Sequence, residues 1–69
     1  MTNYLVIYEQ GDDSWGAYSP DLPGCTAVGS SRDEAERLMH EAVEAHIDVL
    51  RSEGLAVPRP ASFAGYVAV

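Results

Sequence analysis

Apolar residues fall into several short runs and one long periodic stretch. The first run, Tyr4–Tyr8, is rich in β-branched and aromatic residues and too short for a helix, so it predicts a strand. Polar residues 10–13 indicate a turn, and Trp15–Tyr18 resumes as a second strand, which makes the pair a hairpin. Cys25–Gly29 predicts a short third strand.

A rigid loop is predicted between the second and third strands. Its two prolines restrict φ, and Gly24 can adopt a positive φ that other residues resist. We therefore expect this loop to be structural. It consists of Pro20, Asp21, Leu22, Pro23, Gly24 and Cys25.

The long periodic stretch predicts a helix. Ser31 and Glu34 have the spacing of a capping box, and Gly54 supplies a stop that Pro58 and Pro60 reinforce. The apolar stripe at helical spacing comprises Ala35, Leu38, Met39, Ala42, His46, Val49 and Leu50. Charged residues occupy the opposite side, so one face of the helix is expected to cover the sheet.

Residues 63–69 predict a fourth strand, which completes a β-β-β-α-β order in a single domain of residues 1–69. Strands one to three form an antiparallel meander, and a right-handed crossover places strand four parallel to strand one. The predicted fold class is therefore α+β. It has two layers: a mostly antiparallel four-stranded sheet of order 3-2-1-4, and one helix on one face.

Strand one is apolar on both faces, although the single helix can cover only one of them. Leu5 and Ile7 point one way, and Tyr4, Val6 and Tyr8 point the other. An uncovered apolar face usually marks a contact surface. We hypothesise an oligomer interface at Tyr4, Val6 and Tyr8, unless loops or the last strand cover the exposed set.

The charge balance disfavours nucleic acid as a direct partner. Eleven acidic residues stand against four arginines, for a net charge of −7, whereas phosphate binding requires a basic surface. An acidic surface suits a basic protein partner, because complementary potentials speed encounter. The alternative is that the acidity only keeps the protein soluble.

The small size favours self-association. A chain of 69 residues buries only about 60% of the surface exposed on unfolding. One cysteine and two histidines provide neither an internal disulfide nor a closed zinc site. We therefore expect a homo-oligomer, a dimer or a dimer of dimers. No targeting or membrane-spanning pattern is visible, so a cytoplasmic location is expected.

The candidates for chemistry are weak, and we expect no catalytic residue, metal or cofactor. Cys25 has no neighbouring base to lower its pKa, so it is interpreted as a packed residue. His46 falls on the apolar stripe and is interpreted as a half-buried histidine. Asp12 and Asp13 suit a turn better than a calcium loop, which needs more oxygen ligands at defined spacing. The chain is not expected to be an enzyme.

Several short elements together resemble the HicB antitoxin family. They are the Tyr-Ser-Pro-Asp-Leu-Pro-Gly-Cys segment at 18–25, the Gly-Ser-Ser at 29–31 that opens the helix, and residues 33–35 and 41–47 within it. The Val-Pro-Arg-Pro at 57–60 after Gly54 is also similar to that family.

The resemblance implies a partial RNase H-like fold, assembly as dimers or larger oligomers, and inhibition of a HicA toxin, a small basic ribonuclease. Longer members carry a C-terminal DNA-binding domain, which is not expected within these 69 residues. RNase H-type catalysis is not expected either, because the centre of strand one offers Val6 and Ile7 in place of metal-binding carboxylates.

Two hypotheses follow from the sequence. The chain is an antitoxin-type inhibitor of a HicA-type ribonuclease, or it is an orphan structural or ligand-binding module of the same fold. For the first hypothesis, aromatic side chains would supply affinity and acidic ones would steer a basic partner. The partner-binding candidates are Tyr8, Asp12, Asp13, Trp15, Tyr18 and Asp21.

Overall fold

A three-stranded sheet and one helix form the fold in the computed structural model, which describes residues 2–69. The strands are β1 (Ile7–Gln10), β2 (Trp15–Tyr18) and β3 (Thr26–Gly29), and they precede helix α1 (Arg32–Ser52). Within the described residues, no helix has the length and apolar character needed to cross a membrane.

The sheet is an antiparallel meander of order β1-β2-β3. Tyr8 lies opposite Ala17 and Ala17 opposite Ala27, so these three residues share the face that α1 covers. Ala17 packs with Leu22 and Met39 in a small buried core. The α+β class is therefore observed, with the helix on one face of the sheet.

The loop at residues 20–25 folds back on itself before β3. The Leu22 N–H donates to the Ser19 carbonyl oxygen (3.2 Å), and the Cys25 N–H donates to the Leu22 carbonyl oxygen (3.0 Å). Gly24 has a φ of 84°, a conformation that is costly for residues with a Cβ. This tight path carries the fully buried Leu22 into the core.

Helix α1 begins and ends where the local signals predict. The Ser31 hydroxyl accepts from the Glu34 N–H (3.1 Å), as in a capping box. The Glu34 carboxylate accepts from the Ser30 N–H (2.8 Å), one residue earlier than the motif requires. Gly54, with a φ of 71°, follows the last turn and ends the helix in a left-handed conformation.

The buried face of α1 differs from the predicted stripe in its second half. Ala35 and Met39 are buried, as predicted. Further along, Val43 and Ile47 pack against the core, whereas Val49 is 52% exposed. The prediction for Val49 is wrong, because Val43 and Ile47 form the buried side of these later turns in its place.

Strand β1 starts at Ile7, three residues later than predicted. Its partner β2 ends at Tyr18, which lies opposite Ile7, so the preceding residues have no strand beside them. Ser19 leaves the sheet at this point, and its hydroxyl donates to the Leu5 carbonyl oxygen (2.8 Å). The apolar segment from Tyr4 is therefore extended but lies outside the ladder.

The predicted fourth strand and the sheet order 3-2-1-4 are wrong. Residues 63–69 pair with no strand in the described chain. Before them, the chain crosses one end of the sheet, held where the Tyr4 hydroxyl donates to the Pro58 carbonyl oxygen (2.6 Å). It then reaches Asp21, in the loop between β2 and β3, just before residues 63–69. Strand propensity predicted an extended conformation but could not predict a pairing partner.

Candidate protein-interaction surface

The main concave surface is a groove between the N-terminal segment and α1. We call it the strand–helix groove and define it by Tyr4, Val6 and Tyr8 on one wall and by Met39, Val43 and Ile47 on the other. It contains two adjoining cavities of about 480 and 420 Å³. Its walls are the buried Met39 and half-buried apolar side chains packed against the core, and its mouth is open to solvent. A surface of this kind can accept apolar groups from a partner.

The rim of the strand–helix groove is charged. At the end of the groove near Tyr8, the Arg32 guanidinium lies 5.6 Å from the centre of the Tyr8 ring. Its Nε also lies 3.2 Å from a Glu36 carboxylate oxygen. Burial raises the pKa of Tyr8, and the charge of Glu36 raises it further against the effect of Arg32. Halfway along the rim, His40 Nε2 lies 2.8 Å from a Glu44 carboxylate oxygen.

The structure places the proposed oligomer residues Tyr4, Val6 and Tyr8 on the helix side of the sheet. They therefore line the strand–helix groove rather than the uncovered face. The uncovered face carries Ile7 and Tyr18, which lie opposite one another. Tyr18 is 39% exposed and is separated from Tyr8 by the thickness of the sheet.

The acidic residues of the hairpin lie at one end of the sheet. Asp12 and Asp13 are exposed in a turn that the Gly11 N–H closes by donating to the Ser14 carbonyl oxygen (2.8 Å). Trp15 is half-buried beside them and lines the same cavity of about 170 Å³. One aromatic side chain and two carboxylates are thus available together at the hairpin end.

Asp21 lies at the other end of β2 and is already engaged within the chain. Its carboxylate accepts from the backbone N–H groups of Ala61 and Ser62 (3.0 Å each) and from the Ser62 hydroxyl (2.9 Å). The bond from Ala61 is the main cause of a lowered pKa, and the two bonds from Ser62 act in the same direction. The six partner-binding candidates are therefore spread over both ends and both faces of the sheet.

The remaining reactive residue types show no assembled site. Cys25 is buried, and burial raises the pKa of its thiol, which disfavours the nucleophilic thiolate. His46 is half-buried on α1. Among residues 2–69, no cluster of three or more His, Cys, Asp and Glu side chains has a metal-binding arrangement.

Sequence reasoning missed two parts of this surface. Val43 and Ile47 form the helical wall of the groove but were not assigned to the apolar stripe. Apolar residues in the segment 63–69 were assigned to a strand, although Phe63 is 88% and Tyr66 101% exposed. The composition of residues 63–69 gave no signal that they would be exposed, because strand-forming residues are equally typical of a paired strand.

Comparison with known proteins identifies relatives over nearly the whole chain. The model of the family described as "HicB_like antitoxin of bacterial toxin-antitoxin system" matches residues 4–69. A UPF0150 protein from Synechocystis is 36% identical over 58 residues, covering 83% of this chain and 73% of that protein.

Two further relatives are also UPF0150 proteins and match most of the chain. A UPF0150 protein from Thermoplasma acidophilum is 33% identical over 57 residues (81% of this chain, 83% of that protein). A UPF0150 protein from Helicobacter pylori is 33% identical over 51 residues (74% and 71%). No solved structure matches the chain.

Proposed function

Because this chain belongs to the HicB-like antitoxin family of bacterial toxin–antitoxin systems, we propose that it binds and neutralises a small ribonuclease toxin of the HicA type. The observation that carries the proposal is the match of the family model over residues 4–69. The net charge of −7 supports it, because an acidic protein attracts a basic ribonuclease and competes with RNA for the same surface. The proposed role is inhibition by binding, in the cytoplasm and without catalysis.

We place the toxin contact at the hairpin end of the sheet. Asp12 and Asp13 are exposed there and Trp15 lies beside them, so steering charge and an aromatic anchor share one surface. Tyr8 and Tyr18 remain candidate anchors on the two faces of the sheet. Asp21 is the weakest of the six candidates, because a toxin would have to displace its bonds to Ala61 and Ser62.

We also propose that the antitoxin acts as a homo-oligomer. The fully buried apolar core is small, with Leu22 and Met39 as its largest members, and a domain of this size gains stability from further burial. Tyr4, Val6 and Tyr8 offer that burial through the strand–helix groove. A two-fold dimer would bury the same surface on both copies.

The test of the antitoxin role is co-expression with a small basic HicA-type ribonuclease, taken from the neighbouring gene where one encodes it. The native chain should restore growth that the toxin arrests. The variant Asp12→Lys with Asp13→Lys should lose the rescue. Its matched control is Glu41→Lys with Glu53→Lys, which changes the net charge by the same amount. Glu41 is exposed on α1, and Glu53 is exposed just after its last residue. The control should retain the rescue.

The outcomes separate the alternatives. Loss of rescue in both variants would assign the effect to net charge rather than to the hairpin. Failure of the native chain to rescue would reject the antitoxin proposal in favour of an orphan module of the same fold. In binding kinetics, added salt should slow association more than it speeds dissociation, because screened charges mainly steer encounter.

A further inference from the structure

The most exposed large apolar side chains among residues 2–69 lie in the segment 63–69, which we call the C-terminal arm. Phe63, Tyr66 and Val67 are all at least 88% exposed. No residue from 60 onward has a charged side chain, so the arm is apolar in an otherwise acidic protein. Exposed apolar segments of this length usually mark a binding surface.

The rest of the molecule holds the C-terminal arm away from its own core. Pro58 is fixed at the groove side by Tyr4, and Ser62 is fixed at the loop between β2 and β3 by Asp21. The last anchor before the arm therefore lies at the loop between β2 and β3 and not at the free edge of β1. The radius of gyration is 13.2 Å, compared with about 11 Å expected for a compact domain of this length.

A complementary acceptor exists in the same chain. The outer edge of β1 is unpaired, because β1 pairs only with β2 in the described residues. The segment from Tyr4 to Val6 also lies outside the ladder, directly beside the strand–helix groove. An extended peptide that adds to such an edge gains main-chain hydrogen bonds and places alternate side chains in the adjoining groove.

We propose that the C-terminal arm of one copy docks against β1 and the strand–helix groove of a second copy, and that the exchange is reciprocal. The proposal rests on the self-association proposed above and names its contact. Seven residues reach roughly 23–25 Å when extended, and residues 4–8 span about 13 Å along a strand, so one arm covers the acceptor.

Charge and area favour a second copy as the occupant. A basic toxin would be attracted by acidic side chains, and the arm has no charged side chain. Two acidic copies repel each other least where they meet at an uncharged segment. Phe63 and Tyr66 would bury roughly 300–500 Å² per arm. Two arms together with the two grooves reach the roughly 1,200–2,000 Å² of a stable interface.

The first test is the mass in solution by light scattering. The native chain should give twice the 7.4 kDa monomer mass. A chain ending at Ser62, and the point variant Tyr66→Asp, should both give the monomer mass with the helical circular dichroism retained. The matched control Val28→Asp alters an exposed apolar residue of β3, far from the β1 edge, and should remain a dimer.

The second test traps the contact and does not depend on truncation. Both proteins used here carry Cys25→Ala, which removes the native thiol. One of them also carries Val43→Cys in the groove, and the other carries Val67→Cys in the arm. Refolded together and oxidised, they should form a mixed disulfide dimer. Replacing Val43→Cys by Val28→Cys should abolish it.

Three outcomes would overturn the proposal: a monomeric native chain, a dimer that survives loss of the arm, or the absence of a mixed disulfide between the Val43→Cys and Val67→Cys proteins. The second outcome would point to pairing between the β1 edges, and the third would mean that the arm does not reach the groove of the other copy. No toxin enters these measurements, so their failure leaves the antitoxin proposal intact, and failed growth rescue leaves arm exchange intact.

Discussion

Gly29, the last residue of β3, lies against the first turn of helix α1, and replacing it by alanine should destabilise the fold. A Cβ at this position would lie 2.7 Å from the Ala35 backbone nitrogen and 3.1 Å from the Ala35 Cα. Both atoms belong to backbone in the first turns of α1, so no side chain can rotate to relieve the overlap. The φ of Gly29 is ordinary, and the effect is therefore steric alone.

The expected cost follows from overpacking. Forcing one extra carbon into a packed site costs about 1–3 kcal/mol. A domain of this length has a total stability of about 3.5–10 kcal/mol, so Gly29→Ala should remove a large fraction of it. With a urea dependence of about 1 kcal/mol per molar for a small domain, the unfolding midpoint should fall by about 1–3 M.

Gly16→Ala is the matched control for Gly29→Ala. Gly16 lies opposite Val28 in the same sheet, and a Cβ there would meet no atom within 4 Å. Its substitution should be neutral or should stabilise by up to about 1 kcal/mol through the unfolded chain. Unfolding followed by Trp15 fluorescence, at one protein concentration for all variants, measures both. Equal midpoints for the two variants would refute the steric argument.

Three further predictions concern the loop at residues 20–25 and its contacts. Leu22→Ala should cost about 2–5 kcal/mol, because Leu22 is fully buried, and thermal unfolding measures the loss. Cys25 should react with a thiol reagent only at the rate of unfolding, since it is buried and its pKa is raised. The hydrogen bonds from Ala61 and Ser62 lower the pKa of Asp21 in the folded protein. Its contribution to stability is therefore complete above the pKa of an unfolded aspartate, about 3.9. The contribution is lost as the pH falls through the lower pKa of the folded state. Amide exchange at Ala61 and Ser62 should accelerate in that acidic range, and Asp21→Asn should remove the pH dependence.

Local signals were sufficient for the helix and the hairpin. Ser31 and Gly54 bracket α1 because capping depends on residues within one turn of each end. The turn after β1 was equally local. The face of α1 was predicted less well: Val49 has the right spacing for the stripe but no sheet beneath it. Helical periodicity gives the direction of a side chain, whereas burial depends on how far the neighbouring layer extends.

The surroundings of the candidate site residues depend on long-range contacts. Asp21 was interpreted as an acidic contact for a toxin, yet its bonds go to Ala61 and Ser62, 40 and 41 residues away. This engagement of Asp21 has no local sequence signal, because it is made by a segment that arrives from elsewhere in the chain.

The path of the chain before the C-terminal arm explains why the sheet has three strands. Its composition favours a strand, and strand-forming residues gain little until a neighbour satisfies their backbone groups. Within one copy, the chain passes Tyr4 and then Asp21 before the arm begins, so its last anchor lies at the loop between β2 and β3 rather than at the edge of β1. The fourth strand of the predicted order 3-2-1-4 is absent from the described residues. In the proposed exchange, the arm of a second copy would lie beside β1. On that proposal, the composition of residues 63–69 favours pairing with an edge, and the contacts of residues 58–62 favour the edge of another copy.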